Sequence, residues 1–202
     1  MALKGRRTGL GITAEVDMLA ALGLRYGSEE AIDFAVEVHK TLAVEAYRAS
    51  VMMAKDRGAF GVFNFEKEQG NPMVGRILEA APELRELMQQ YGRRNIAMLT
   101  IAPTGTTSLM SQTTSGIEPV FRPVYKRRRK INPSDKDQVA SFVDETGEKF
   151  IEYYVYHHQF VKWAEINGYD TSRLQTITEQ ELDEMLKASP YHKATANDID
   201  WV

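Results

Sequence analysis

The chain of 202 residues contains no cysteine. Disulfides, zinc sites built on thiolates and cysteine nucleophiles are therefore excluded within it. It has no apolar run near the ~20 residues that span a bilayer. Basic residues near Met1–Arg7 are not followed by the apolar stretch of a signal peptide, so the cytoplasm is the expected location and no membrane partner is expected. The formal net charge is −3, which does not suit a protein built to coat nucleic acid. No internal repeat and no low-complexity tract is present. With 43% hydrophobic and 26% charged residues, the composition is that of an ordered globular protein, one large domain or part of a larger one.

The punctuation of the chain predicts a helix-rich α/β fold. A short helix is expected over Ala14–Leu22, stopped at Gly23. Ser28 is a good N-cap for a long helix to about Asp56, with Glu29 and Glu30 in its first turn. Ile32, Ala35, Val38, Leu42, Ala46 and Met53 would form its apolar face, and Gly58 would end it. Residues 61–75 read as irregular, with Gly70, Pro72 and Gly75 as breakers. Phe60, Phe63 and Phe65 are most simply core packing. Pro82 suits the first turn of a helix from about Ala81 to Tyr91, closed by Gly92. Asn95–Ala102 is a continuous apolar run of strand length, suited to a strand covered on both faces. Glu118-Pro119 marks an extended turn. Residues from about Thr146 to Gly168 read as one tyrosine-rich helix. Thr178 with Glu181 reads as the capping box of a last helix. Trp201-Val202 ends the chain without a terminator, as if cut.

The feature that carries chemistry is Pro103-Thr104-Gly105-Thr106-Thr107-Ser108, between the apolar run and a helix. Gly105 lets a ligand approach the backbone, threonine and serine offer hydroxyls, and the helix aims its free N–H groups and dipole at whatever occupies the loop. Such a loop can hold a phosphate. Without a ligand it is an N-capped helix after a strand, and the residues alone leave both readings open. The lysine of a Walker A motif is missing, so ATP hydrolysis is not implied.

The other candidates have plainer readings. Gly9-Leu-Gly11 with Ala14 formally matches a dinucleotide fingerprint, but Lys4-Gly5-Arg6-Arg7 is not the apolar strand the match requires; a tight turn is preferred over nicotinamide binding. Lys126–Lys130 could suggest nucleic acid, but reads as a solvated, partly charge-paired strand or loop. His157 and His158 are adjacent and lack ligand spacing, and His39 and His192 stand alone. All four read as structural or exposed. Glu15 and Asp17 form a carboxylate pair with no identified partner. No catalytic residue and no metal site is assigned.

Asn95–Ser108 and the following Ser115-Gly-Ile-Glu-Pro119 resemble two sequence blocks of ribonucleotide reductase large subunits. Gly5-Arg-Arg-Thr-Gly-Leu-Gly-Ile-Thr13, with Asp17 and Ala21-Leu-Gly-Leu-Arg-Tyr-Gly27, resembles a third, and Ala46-Tyr-Arg48 another. Val120-Phe-Arg-Pro-Val-Tyr-Lys-Arg-Arg-Arg129 resembles the adenosylcobalamin-dependent branch. The resemblance implies an internal piece of a ten-stranded α/β barrel. Residues 1–92 would be a mainly helical half, 93–131 the strand, phosphate loop and following turn, and 132–202 a helical extension. It also implies a ribonucleoside di- or triphosphate substrate, adenosylcobalamin as cofactor, and Pro103, Thr104, Gly105, Thr106, Thr107 and Ser108 as the substrate phosphate loop. The radical and reducing cysteines and the specificity site would lie outside this chain, so the chain alone would be inactive. The remainder of the barrel, or a second copy, is the expected protein partner. A phosphate-binding α/β module without catalysis is the alternative.

Overall fold

Local sequence signals account for most of the helices in the computed structural model, which describes residues 2–132, 134–135 and 138–199. The elements in order are α1 (Ala2–Gly5), α2 (Glu15–Ala21), α3 (Glu29–Arg57), α4 (Phe65–Glu68), α5 (Pro72–Ala80), α6 (Leu84–Tyr91) and α7 (Gly105–Ser111). They continue with β1 (Val124–Lys130), β2 (Phe142–Val143), β3 (Lys149–Tyr156), α8 (His158–Ile166), a 3-10 turn (Thr171–Arg173) and α9 (Glu179–Ala188). Trp201-Val202 lies outside the described residues. No described helix is long and apolar enough to cross a membrane. Two compact units form: one from the residues up to Thr13 with Glu29–Thr104, the other from Ala14–Ser28 with the residues from Gly105 onward.

In the first unit, α3 begins with Glu29 and Glu30 and ends with Lys55 and Arg57, each charge matched to its end of the helix dipole. Gly58 follows at φ +78, a left-handed stop that suits glycine. The buried stripe is Ala43, Tyr47, Ser50, Val51 and Ala54; of the expected face, Ala35, Val38, Leu42 and Ala46 are half-buried, while Ile32 and Met53 are exposed. Apolar residues such as Val36 and Met52 also lie on the exposed side, so periodicity did not single out one face. The core pairs Tyr47 and Val51 with Val74, Ile77 and Leu78 of α5 and with Leu84 and Met88 of α6.

The stretch expected to be irregular holds two helices. Pro72 does not break the chain there; it begins α5, and the Asn71 side chain caps it by accepting from the Met73 N–H. Pro82 lies in the turn before α6 rather than inside it. Phe60 is buried and meets Phe63 edge-on at 5.5 Å, the packing role expected of it. Arg93, only 3% exposed, pairs with Glu68 at 2.8 Å and lies over the rings of Tyr47 and Phe60. It also donates to the carbonyls of Asn95 and Ile96. Ser50 and Asn95 exchange hydrogen bonds beside it. These contacts fix the start of the 95–102 segment.

That segment is extended and runs parallel to residues 5–10. Ile96 N donates to Gly5 O, Thr8 N to Ala97 O, Leu10 N to Met98 O and Thr100 N to Leu10 O. Cover on both faces is not what the structure has. Met98 is buried, but Ala97, Thr100 and Ala102 are exposed and Ile101 is 48% exposed. The paired glycines allow this approach: a Cβ on Gly9 would lie 2.7 Å from Thr100 Cγ2, and one on Gly11 would lie 2.0 Å from Thr100 O. Backbone contact therefore accounts for the Gly-x-Gly pattern.

In the second unit, β1, β3 and β2 form an antiparallel sheet in the order β1-β3-β2, with Val124 opposite Tyr156 and Phe142 opposite Phe150. The single helix expected over 146–168 is instead a turn at Asp144–Gly147, strand β3 and helix α8. Phe150, Ile151, Tyr153, Tyr154, Val155 and Tyr156 are aromatic or β-branched residues that suit a pleated surface better than a helix. The basic run is a strand whose side chains are partly charge-paired: Arg128 with Glu152 at 2.6 Å, Arg129 with Asp135 at 2.8 Å, and Lys130 with Glu148. The capping box of α9 is complete, with Thr178 and Glu181 exchanging hydrogen bonds. Val16 and Ala20 of α2, Phe160 and Ala164 of α8, Met185 of α9 and Tyr191 form the core.

Candidate functional site

The turn into α7 carries local strain. Thr104 has φ +47, a left-handed conformation unfavourable for a β-branched residue. Such strain persists where neighbours enforce it, and it gathers at functional sites. In the first unit the Thr104 hydroxyl lies 2.9 Å from that of Thr13. A cavity of about 190 Å³ adjoins it, lined by Gly9, Gly11, Ile12, Thr13, Thr100 and Ala102. Pro103 is exposed just before the turn.

In the second unit Gly105 opens α7, and a Cβ placed on it would meet nothing within 4 Å. Thr106 and Thr107 are exposed and Ser108 is buried. The first turn of a helix leaves its N–H groups without intrahelical partners. The Ser108 hydroxyl turns inward, donating to Gly105 O at 2.8 Å and lying 2.7 Å from Ser115 Oγ. Thr113 N donates to Ser108 O. The six loop residues thus divide into three parts: a strained entry at Thr104, an accessible surface at Gly105–Thr107, and an internal brace at Ser108.

A second cluster lies behind this brace. Asp17 of α2 is buried; its Oδ2 accepts from Thr114 N at 2.7 Å. Its Oδ1 accepts from His157 Nε2 at 2.7 Å and from the Tyr191 hydroxyl at 2.8 Å. Burial pushes the carboxyl up, but the His157, Thr114 and Tyr191 hydrogen bonds and the His157 charge outweigh it. They hold Asp17 below the usual carboxylate range. Burial and the adjacent Asp17 push the Tyr191 hydroxyl up, so it stays a donor. Burial also pushes Tyr156 up to about 12. Glu15 N donates to Gly116 O, and the Tyr26 hydroxyl to Ile117 O.

The sequence had paired Asp17 with Glu15 and left it without a role. Its partners lie 97, 140 and 174 residues away, and only Asp17's place in a family-like block marked it. His157 is structural, as expected, bound to Asp17 at the N-terminus of α8. No group of three or more His, Cys, Asp or Glu able to hold a metal occurs among the described residues.

Residues 2–199 match the family model described as "Ribonucleotide reductase, barrel domain". The chain is 36% identical over 122 residues to a vitamin B12-dependent ribonucleoside-diphosphate reductase of Mycobacterium tuberculosis, a match covering 60% of this chain and 15% of that protein. A protein of the same name from Thermoplasma acidophilum is 33% identical over 125 residues, covering 60% and 14%. The ribonucleoside-diphosphate reductase subunit alpha of Chlamydia pneumoniae is 29% identical over 142 residues, covering 61% and 14%. The chain therefore matches about one seventh of the length of these curated relatives. With nearly all of its own length inside the family match, the chain belongs to the ribonucleotide reductase family, in its barrel domain.

Proposed function

We propose that this chain supplies the substrate phosphate-binding loop, Pro103–Ser108, of a ribonucleotide reductase that makes deoxyribonucleotides by radical chemistry. The observation that carries this reading is the strained turn at Thr104 leading into the accessible first turn of α7. The N–H groups of Gly105, Thr106 and Thr107 are suited to phosphate oxygens, with the helix dipole favouring the negative charge. Hydrogen bonds to a charged group contribute about 1.5–3 kcal/mol each, enough for two or three to hold a substrate that must later leave. The names of two relatives favour a ribonucleoside diphosphate as substrate and a cobalamin cofactor. Bound adenosylcobalamin would supply the radical that starts the reaction. The chain has no cysteine, so the radical-carrying and reducing thiols belong to other parts of a complete catalytic subunit. The same fact keeps a second reading in place, a phosphate-binding module with no catalysis of its own.

Thr106→Pro in the complete subunit is the test. Proline is tolerated in a first helical turn, and the change removes one donor. Affinity for cytidine diphosphate should fall by about tenfold or more. Unchanged affinity in a folded variant would refute the loop assignment.

A further inference from the structure

We infer that Asp17 is a positioning residue for the first turn of α7, holding it in place through Thr114; the inference rests on the phosphate-binding reading of that turn. Three consecutive residues carry the connection. Thr113 N bonds to Ser108 O, Thr114 N bonds to Asp17 Oδ2, and Ser115 Oγ meets Ser108 Oγ. The outer two grip Ser108, which in turn grips Gly105 O. The middle one is gripped by α2.

The same short segment is fastened to α2 and the turn after it at two further points, Glu15 N to Gly116 O and the Tyr26 hydroxyl to Ile117 O. These two would hold the segment even without Asp17. The carboxylate adds a fixed acceptor at the one residue lying between the two contacts to Ser108. From behind, His157 and Tyr191 both bond Oδ1, which leaves Oδ2 for the Thr114 N–H.

A buried carboxylate is costly, and an apolar residue would fill the same space more favourably. A leucine at position 17 could pack against Tyr191 but could not accept from a backbone N–H. What the carboxylate alone contributes here is the orientation of Thr114, and through it the register of Ser108 and the backbone of the exposed residues Gly105–Thr107. Asp17 touches no part of the loop itself, so its action is on geometry and not on chemistry.

The experiment measures equilibrium binding of cytidine diphosphate and of cytidine to the complete subunit, with Thr106→Pro in parallel. Asp17→Ala should weaken cytidine diphosphate binding by about tenfold and leave cytidine within about twofold. Asp17→Asn keeps an oxygen for the Thr114 N–H and should recover affinity to within about threefold of the parent. If Thr106→Pro weakens binding and Asp17→Ala does not, the positioning role is overturned and the phosphate loop stands. If neither weakens it, both readings fall. If Asp17→Ala weakens both ligands alike, Asp17 serves the fold in general and the positioning role is overturned. Should Asp17→Ala fail to fold, Tyr191→Phe removes one donor and keeps the ring. It should weaken cytidine diphosphate binding about threefold with cytidine unchanged, and full affinity there would overturn the inference.

Discussion

The hydroxyls of Ser108 and Ser115 lie 2.7 Å apart, joining two sequence blocks that are separated along the chain by the rest of α7 and the turn after it. Ser108 donates to Gly105 O, so its remaining lone pairs receive Ser115. Both ends of the brace are inside one unit, and the pair ties the first turn of α7 to the segment that follows the helix.

Removing one partner of that pair leaves the other without its bond. Ser108→Ala should cost about 1–3 kcal/mol, read from urea unfolding. Because the two hydroxyls act as one contact, the Ser108→Ala, Ser115→Ala double variant should cost less than the sum of the two single changes. Strict additivity would show that the hydroxyls contribute separately.

The glycines of the Gly-x-Gly pattern give a prediction that separates backbone packing from cofactor binding. Gly11→Ala would place a methyl 2.0 Å from Thr100 O, and a backbone carbonyl has little freedom to yield. The variant should lose more than about 2 kcal/mol of stability, the range of an overpacked site, while titration of the parent with a reduced nicotinamide dinucleotide should show no saturable binding. A stable Gly11→Ala protein, or nicotinamide binding that the substitution abolishes, would reverse this interpretation.

The buried Arg93–Glu68 pair is the third case. Arg93 is 3% and Glu68 14% exposed, and the guanidinium also holds two carbonyls. Arg93→Met would leave Glu68 without its partner and both carbonyls short of a donor, costing about 3–5 kcal/mol. Adding Glu68→Met should restore part of that loss by removing the stranded charge. A double variant less stable than Arg93→Met by the full cost of Glu68→Met alone would show that the two charges are not coupled.

What the sequence disclosed was the information held within a few residues. Gly58 and Gly92 as stops and the Thr178–Glu181 box depend on short-range geometry, and each lies where its chemistry placed it. The stretch read as one tyrosine-rich helix is a strand followed by a helix, because the aromatic and β-branched residues from Phe150 to Tyr156 favour a strand. The face of α3 was misread because apolar residues surround the helix, and only the partners in α5 and α6 decide which of them are covered. The Pro103–Ser108 loop was visible as a motif, but its division into an exposed surface and the inward Ser108 depends on Ser115. The Asp17 cluster had no local signal at all, since its partners come from three distant parts of the chain.

Acid should expose the Asp17 cluster. The folded-state pKa of Asp17 lies below its ordinary value of 3.8: burial raises it, and the His157, Thr114 and Tyr191 contacts lower it by more. A carboxyl depressed in the folded state binds its proton more readily when unfolded. Its contribution to stability is therefore complete above the unfolded value and is lost as pH falls through the folded one. Between about pH 5 and pH 2, the parent should lose stability more steeply than Asp17→Asn, which has no proton to take up at that position. Above pH 5 the difference between the two proteins should be constant as far as Asp17 is concerned. Urea unfolding at closely spaced pH values measures this directly. Parallel curves for the two proteins below pH 4 would mean that the three donors fail to offset burial. Asp17 would then enter the folded state with no depression of its pKa, and Thr114 would be held by a much weaker acceptor.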